Sequence, residues 1–329
     1  MNWIQWNDEK SRDNWDINLL KFKDYSFFQT YKYGNYVKKI GYELYRFVNL
    51  GSDDKIEAMF QCWTKVLFGV TVVISRGGPV GQQIHKIDES LQDALLSEFK
   101  GRKIYCLSNP QARYNSDLSF SMEKANWRLN PFPKYSRWTL ELDLNKSLDY
   151  LESNQSKNWK RNLRRSKKYF VSTQNWESPN KFKIIDLYTE MESYKRIKRQ
   201  FTENQISNIL KIIGDDLIIY KSTNKSGDII GLRGCVRFGK RALDLFAATN
   251  QEGRSKYVSY RLLWQIIIHC KEIGLESYDL HGIDIINNEG VYNFKKGTGA
   301  SLIENLGEYD WATSKTLRKF IHLAYILKR

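Results

Sequence analysis

The stretch Ile229-Ile-Gly-Leu-Arg-Gly-Cys-Val-Arg-Phe238-Gly239-Lys240-Arg241-Ala-Leu-Asp-Leu-Phe-Ala-Ala-Thr249 decides the fold. Two apolar runs rich in β-branched and aromatic residues flank Gly239-Lys240, a two-residue turn of the kind that joins antiparallel strands. Gly234 through Arg241 nearly spells a phosphate-binding loop, but Arg241 stands where Ser or Thr is required and the context is strand-turn-strand. The segment is therefore read as a hairpin. Outward from it, a strand at 217–222 precedes, and an amphipathic helix at 255–273 and a strand at 277–280 follow. A glycine-rich segment, a strand at 302–309 and a basic helix at 314–327 complete the second half, which begins with helical regions at 148–170 and 184–213.

The first half has a helix at 28–40, strands at 43–49, 56–66 and 70–75 closed by Arg76-Gly-Gly-Pro79, a helix at 88–99 and a strand at 103–107. Antiparallel strands interrupted by helices point to α+β rather than a doubly wound sheet. A chain of 329 residues is too long for one ordinary core. Two domains are expected, 1–145 and 146–312.

Composition is globular, with 41% hydrophobic residues, five prolines and no low-complexity tract, so disorder does not carry the function. Fifty-two Lys and Arg against 37 Asp and Glu give a formal charge of +15. That excess favours an anionic partner: RNA, a phosphorylated substrate or an acidic membrane surface. The four cysteines, Cys62, Cys106, Cys235 and Cys270, lie far apart in apolar segments and read as reduced core residues of a cytoplasmic protein. The N-terminus lacks a secretory pattern, and the longest apolar run, 66–74, is about half a membrane span. The four histidines, His85, His269, His281 and His322, show no ligand spacing, and no G-x-S-x-G elbow occurs. No metal is expected, and His281 reads as a packed or capped residue.

Lys157, Lys160, Arg161, Arg164, Arg165, Lys167 and Lys168 fall within twelve residues without an acidic neighbour. At 100° per residue, Lys157, Arg161, Arg164 and Lys168 form one stripe, with Trp159, Leu163 and Phe170 on the opposite face. Like charges at i,i+4 repel by a few tenths of a kcal/mol per pair, roughly, so the cluster costs stability and reads as a polyanion-binding face. A solvated face is the plain alternative. Near the C-terminus, Asp279-Leu-His-Gly-Ile-Asp284 leads into Gly290-Val-Tyr-Asn-Phe-Lys-Lys-Gly-Thr-Gly299. Its glycines are read as freeing the backbone for tight turns and close ligand approach, with Phe294 and Lys295 as a paired platform and cation.

In this order the pieces resemble the Fem family of peptidyltransferases, which add amino acids from aminoacyl-tRNA to the peptide of a cell-wall precursor. The residues that carry the resemblance are Ser156 to Lys168, Gly282-Ile-Asp284 with Gly290 to Gly297, and, more weakly, Phe27 to Lys38 and Arg76-Gly-Gly-Pro79. It implies two tandem GNAT-like (acyl-CoA N-acyltransferase-like) domains, a C-terminal helix, 313–329, packing back on the first, no coiled-coil arm and no cofactor. By the same resemblance Lys295 beside Phe294 serves the transfer, and Lys38 and Arg196 bind the precursor's diphosphate. Tyr36 and Tyr292 are further substrate-binding candidates, and Lys157, Arg161, Arg164 and Lys168 face tRNA. The chain departs from the family pattern at Ser108-Asn109-Pro110, where Asp often precedes Pro, and at Leu245-Phe246, where Tyr is frequent.

Aminoacyl transfer passes through a tetrahedral intermediate whose oxygen carries negative charge, and a lysine ammonium beside it stabilises that charge. Asp284 is the candidate general base, with turn capping as the equal alternative. Two other classes stay open: acyl-CoA-dependent N-acyltransfer and a non-enzymatic RNA-binding module. Against the first, Arg254-Ser-Lys-Tyr257-Val-Ser259 places a bulky Tyr where a pyrophosphate loop needs glycine. The expected partners are an aminoacyl-tRNA donor and a lipid- or nucleotide-linked muropeptide acceptor, met by a monomer. The basic surface and last helix suit the inner face of an anionic membrane, without a lipid-anchor motif.

Overall fold

In the computed structural model, which describes residues 2–81, 88–285 and 287–327, the chain divides into two compact units. Met1–Trp138 with Glu304–Arg329 form one, and Thr139–Ile303 the other. His85 lies outside the described residues.

The first unit is built on an eight-stranded sheet. Its strands are β1 (Asn2–Gln5), β2 (Glu43–Leu50), β3 (Ile56–Leu67), β4 (Val70–Gly77), β5 (Val80–Gly81), β6 (Lys103–Pro110), β7 (Arg128–Leu129) and β15 (Tyr309–Ala312). The order is β1-β2-β3-β4-β6-β15-β7, with β5 paired to β3. Helices α1 (Asp8–Leu19), α2 (Tyr31–Lys39), α3 (Asp88–Glu98), α4 (Ser116–Lys124) and α12 (Lys315–Leu327) complete it. Successive residues of β2 and β3 supply different cores: Phe47 and Phe60 pack with Val73, Leu95, Trp127 and Trp311, while Val48 and Met59 pack with Trp6, Trp15 and Leu19. The middle residues of both strands are thus buried on both faces of the sheet.

The second unit holds a seven-stranded sheet in the order β14-β8-β13-β12-β11-β10-β9. These are β8 (Trp138–Asp143), β9 (Ser172–Asn175), β10 (Leu217–Thr223), β11 (Ile229–Phe238), β12 (Arg241–Thr249), β13 (Ser277–Asp279) and β14 (Ser301–Glu304). Its helices are α5 (Leu148–Ser153), α6 (Lys157–Ser166), α7 (Lys181–Lys195), α8 (Glu203–Ile213), α9 (Gln251–Ser255), α10 (Val258–Glu272) and α11 (Glu289–Lys296). The expected hairpin closes at Phe238 and Arg241 around Gly239, whose φ is +55°.

The units repeat one pattern. In each, three antiparallel strands (β2-β3-β4, β10-β11-β12) pass through a helical crossover to a parallel neighbour, β4 to β6 and β12 to β13. An antiparallel strand from elsewhere in the chain then covers that neighbour: β15 beside β6 and β8 beside β13. The longest described helices, α7 and α10, have 15 residues each, and none extends as an arm.

The structure moves several expected boundaries. The helical run at 148–170 is two helices, because Ser147 caps α5 and Ser156 restarts the chain by accepting from the Trp159 amide. Lys168 and Phe170 lie beyond its end, and Phe170 is exposed rather than docked. The run at 184–213 breaks where Arg196 adopts left-handed φ and a Thr202–Gln205 capping box begins α8. The strand at 302–309 is two strands in different sheets, turned at Gly307 with φ +94°. The chain thus rejoins the first unit from Glu304, so β15 returns as well as the last helix, and β8 opens the second unit at Thr139. The glycine-rich segment forms helix α11 rather than a chain of turns.

Candidate functional site

Lys295 lies in the last turn of α11 and is only 8% exposed. Its Nζ donates to the carbonyls of His281 (3.1 Å) and Gly282 (3.0 Å). These carbonyls are set by a local device. His281 has φ +64°, a left-handed conformation unusual for a non-glycine residue, and its amide donates to Asp279 Oδ1 at 2.7 Å. Two of the ammonium's three N–H groups are so engaged, which fixes the side chain and leaves its third N–H outside these two bonds. Burial pushes the Lys295 pKa down, opposed by the nearby carboxylate of Asp244 and reinforced by Arg233.

Asp244 and Arg233 form the buried base of the site. Arg233 Nε donates to Asp244 Oδ1 at 2.9 Å and its other guanidinium nitrogen to Oδ2 at 2.6 Å. Tyr278 Oη donates to Asp244 Oδ1 at 2.9 Å. The strands shift register between Gly234 and Cys235, which pair with Phe246 and Asp244 and leave Leu245 as the extra residue of a bulge. The Arg233 guanidinium lies 5.4 Å from the ring centroid of Phe294. Phe294 also meets Tyr260 edge-on at 5.0 Å and Trp159 at 6.2 Å. The Phe-Lys pair is therefore divided: its ring sits in an aromatic cluster, and its cation feels the charges of a salt-bridged pair.

The glycines after Lys295 serve packing. A Cβ at Gly297 would come within 2.9 Å of Trp159 Cδ1, and one at Gly299, with φ +87°, within 2.8 Å of the Asn154 carbonyl. The Gly297 carbonyl accepts from the Ser156 amide at 2.9 Å. These close approaches join the end of α11 to the start of α6, the basic helix. At Gly290 a Cβ would meet open space. The expected ligand-approach role thus gives way, at Gly297 and Gly299, to helix packing.

Asp284 is exposed and caps the turn before α11, accepting from the Asn287 amide (2.8 Å) and side chain (2.9 Å). Asp279 is a different kind of carboxylate. Desolvation pushes its pKa up to about 6 against hydrogen bonds from Thr139 and the His281 amide, which lower it. Asp279, Asp244 and Arg233 belong to no local sequence motif, and their partners lie on other strands. The signal Arg233 and Asp244 offered was the charge itself, since strand-buried Asp and Arg require partners.

In α6, Trp159 and Leu163 are buried as expected, and Lys157, Arg161 and Arg164 are exposed. Lys168 lies in the turn that follows rather than on the helical stripe. Arg165 turns toward α10 instead, donating to Tyr257 Oη at 3.0 Å. Tyr292 is partly buried two residues before Phe294, with Lys296 Nζ 5.4 Å from its ring. Arg196 is the exposed left-handed cap of α7.

In the first unit Lys38 is exposed in the last turn of α2, whereas Tyr36 is buried with its pKa pushed up to about 12 by desolvation. Tyr33, also pushed to about 12 by desolvation, contacts Phe27, Phe28, Tyr36 and Trp63. The Arg76 guanidinium lies 3.5 Å from the Phe28 centroid and 4.2 Å from that of Tyr135. Gly34 lets α2 approach the buried Arg46 and Gln61, where a Cβ would stand 2.2 Å from Gln61 Oε1. No cluster of His, Cys, Asp and Glu able to hold a metal occurs among the described residues, and the four cysteines are free and buried. Among those residues no helix is long and apolar enough to cross a membrane.

The FemAB family model matches residues 218–326, a stretch that contains Arg233, Asp244, Asp279, Phe294 and Lys295. Over 148 residues the chain is 26% identical to a lipid II:glycine glycyltransferase from Staphylococcus saprophyticus, covering 43% of this chain and 34% of that protein. The match thus spans about a third of that relative's length. Among solved structures, FemX superposes with a TM-score of 0.83 at 13% identity, covering 98% of this chain and all of the other. A tandem GNAT protein from the clavulanic acid biosynthesis pathway gives 0.58 at 10% identity, covering 95% and 98%. The architecture is two GNAT-like domains in tandem, as expected.

Proposed function

We propose that the chain, which matches the FemAB family model over residues 218–326, transfers an amino acid from aminoacyl-tRNA to the amine of a cell-wall peptide precursor, building a peptidoglycan bridge. The observation that carries this reading is the buried ammonium of Lys295, pinned by two carbonyls and within the electrostatic reach of the Arg233–Asp244 pair. The acceptor amine attacks the ester carbonyl of the donor, and the tetrahedral intermediate places negative charge on the former carbonyl oxygen. The remaining N–H of Lys295 stabilises that oxygen, and collapse of the intermediate expels the tRNA ribose oxygen. The ester is already activated, so the rest of the rate comes from holding two large substrates together.

Asp279, with a pKa near 6, is better tuned than the turn-capping Asp284 to take the proton the amine loses. Lys38 and Arg196 serve the precursor's diphosphate, with Tyr36 and Tyr292 as supporting contacts, and Lys157, Arg161, Arg164 and Lys168 bind tRNA phosphates. The enzyme works as a monomer, peripheral to the inner face of the membrane where a lipid-linked acceptor resides.

Acyl-CoA transfer is disfavoured by the segment before α10. The amides of Arg254, Lys256, Tyr257 and Tyr260 donate to backbone carbonyls, and Tyr257 is held at φ +57° with its hydroxyl bound by Arg165. A pyrophosphate cradle needs such amides free. Incubation with charged tRNA and a precursor analogue, or with acetyl-CoA and an amine, separates the readings. Consumption of the tRNA ester alone is expected; consumption of acetyl-CoA, or RNA retention without turnover of either donor, contradicts the proposal.

A further inference from the structure

The turn between β3 and β4 holds the most exposed large apolar side chain among the described residues. Phe68 is 105% exposed, beside exposed Val66 and Leu67. Leu67 pairs with Val70, so Phe68-Gly69 is a two-residue turn, with φ of +49° and +74°. Two positive φ values define the turn type whose first position normally takes Asn, Asp or Gly. Phenylalanine there packs on nothing and adopts a backbone conformation that disfavours it, so neither packing nor turn formation accounts for it.

The register shows what accompanies it. Val70 pairs with Lys103 and Thr71 with Ile104, while the Thr313 amide donates to the Ile104 carbonyl at 3.0 Å. The tip, the loop entering β6 and the start of α12 therefore share one end of the first sheet. That end carries exposed Lys65, Lys100, Arg102, Lys103 and Lys315, with Glu43 and Glu98 as its acidic members. From there the inward side of α12 carries polar anchors beside partly buried Leu317 and Ile321: Arg318 Nε is 2.9 Å from Asp310, His322 bonds the same carboxylate, and Tyr325 stacks on Phe132. Phe320, Leu323 and Leu327 fall on the opposite side of the helix and are exposed. The helix therefore keeps apolar residues in solvent beyond those, Leu317 and Ile321, that it buries in part, whereas an ordinary surface helix turns its apolar face inward.

We propose that this end of the first unit is a membrane-contacting surface. Phe68, Leu67 and Val66 enter the headgroup region of an anionic bilayer, the surrounding cations bind lipid phosphates, and the outward apolar face of α12 adds a second contact. A protruding aromatic tip ringed by Lys and Arg fits a lipid interface, where apolar groups insert while cations remain at headgroup level. The inference gives a seat to the membrane placement in the proposed function and rests on that placement, not on the transfer chemistry.

Phe68→Asn tests it, because Asn suits the turn and preserves the fold. Full-length protein is sedimented with acceptor-free vesicles of phosphatidylcholine containing phosphatidylglycerol, and with phosphatidylcholine alone. Wild type is expected to bind the anionic vesicles, Phe68→Asn about tenfold more weakly, and Lys65→Glu with Lys103→Glu to lose several-fold on anionic vesicles only. Transfer to a water-soluble acceptor should be equal in wild type and Phe68→Asn, so loss of transfer in the wild type counts against the proposed function rather than this surface. Absence of wild-type binding, or binding unchanged in the variants, overturns the proposal. So does a concentration-dependent dimer that Phe68→Asn dissociates, since the tip then serves a second copy of the chain.

Discussion

Lys295 and the cations of α6 sit on elements joined through Gly297 and Ser156, yet they are opposite kinds of positive charge. Lys157, Arg161 and Arg164 face solvent, where each charge is cheap and screened within ~8–10 Å at ordinary ionic strength. Lys295 has left water, gives two of its donors to fixed carbonyls and has its pKa pushed down by burial. An exposed cation offers attraction that any polyanion satisfies. A buried, oriented one offers a single donor in a single direction, which is what a developing oxyanion needs.

The largest stability effect is expected at the base of the buried site. Asp244→Ala leaves Arg233 buried and unpaired and removes the acceptor of Tyr278, so urea unfolding should show a loss of about 3–5 kcal/mol. A loss below 1 kcal/mol would mean the pair is not desolvated in solution. Next comes the joint between the two regions. Gly297→Ala forces a Cβ against Trp159 and should cost about 1–3 kcal/mol, while Gly290→Ala, facing open space, should be neutral or slightly stabilising. Equal effects in the same unfolding assay would deny that Gly297 is there for packing.

The carboxylates give a pH test. Asp279 has a folded pKa of about 6 against an ordinary 3.8, so across that interval the folded protein holds a proton that the unfolded chain has released. Its contribution to stability is complete below the ordinary value and falls as pH rises through about 6. Asp279→Asn should flatten stability over that window in thermal melts taken across pH, and an unchanged slope would place the titration elsewhere. The smallest effect on the fold is expected on α6. Arg161→Glu with Arg164→Glu should leave the melting temperature nearly unchanged and weaken tRNA retention most at low salt. Unchanged retention there would return α6 to a solvated face.

Local patterns carried the central hairpin of the second unit, the strands on either side of it and the α+β class into the sequence reading, since turn glycines and apolar runs are short-range signals. The family resemblance supplied the tandem fold. Helix boundaries were harder: Ser156 and Thr202 restart helices inside runs whose periodicity alone looks unbroken. Strands β14 and β15 look like one strand in sequence, because only tertiary pairing shows that the two enter different sheets. Phe294 and Lys295 stood out by their neighbours in sequence. Arg233, Asp244 and Asp279 did not, because each finds a partner on a neighbouring strand: Arg233 and Asp244 one another, Asp279 the hydroxyl of Thr139.

Adjacent lysines make the most direct test. Lys295 is buried and pinned, whereas Lys296 is exposed beside Tyr292. Single-turnover transfer from charged tRNA to a precursor amine should fall ~10²–10³-fold in Lys295→Met and change little in Lys296→Met, with both variants folded. Comparable rates for the two variants would contradict the assignment of the oxyanion donor to Lys295.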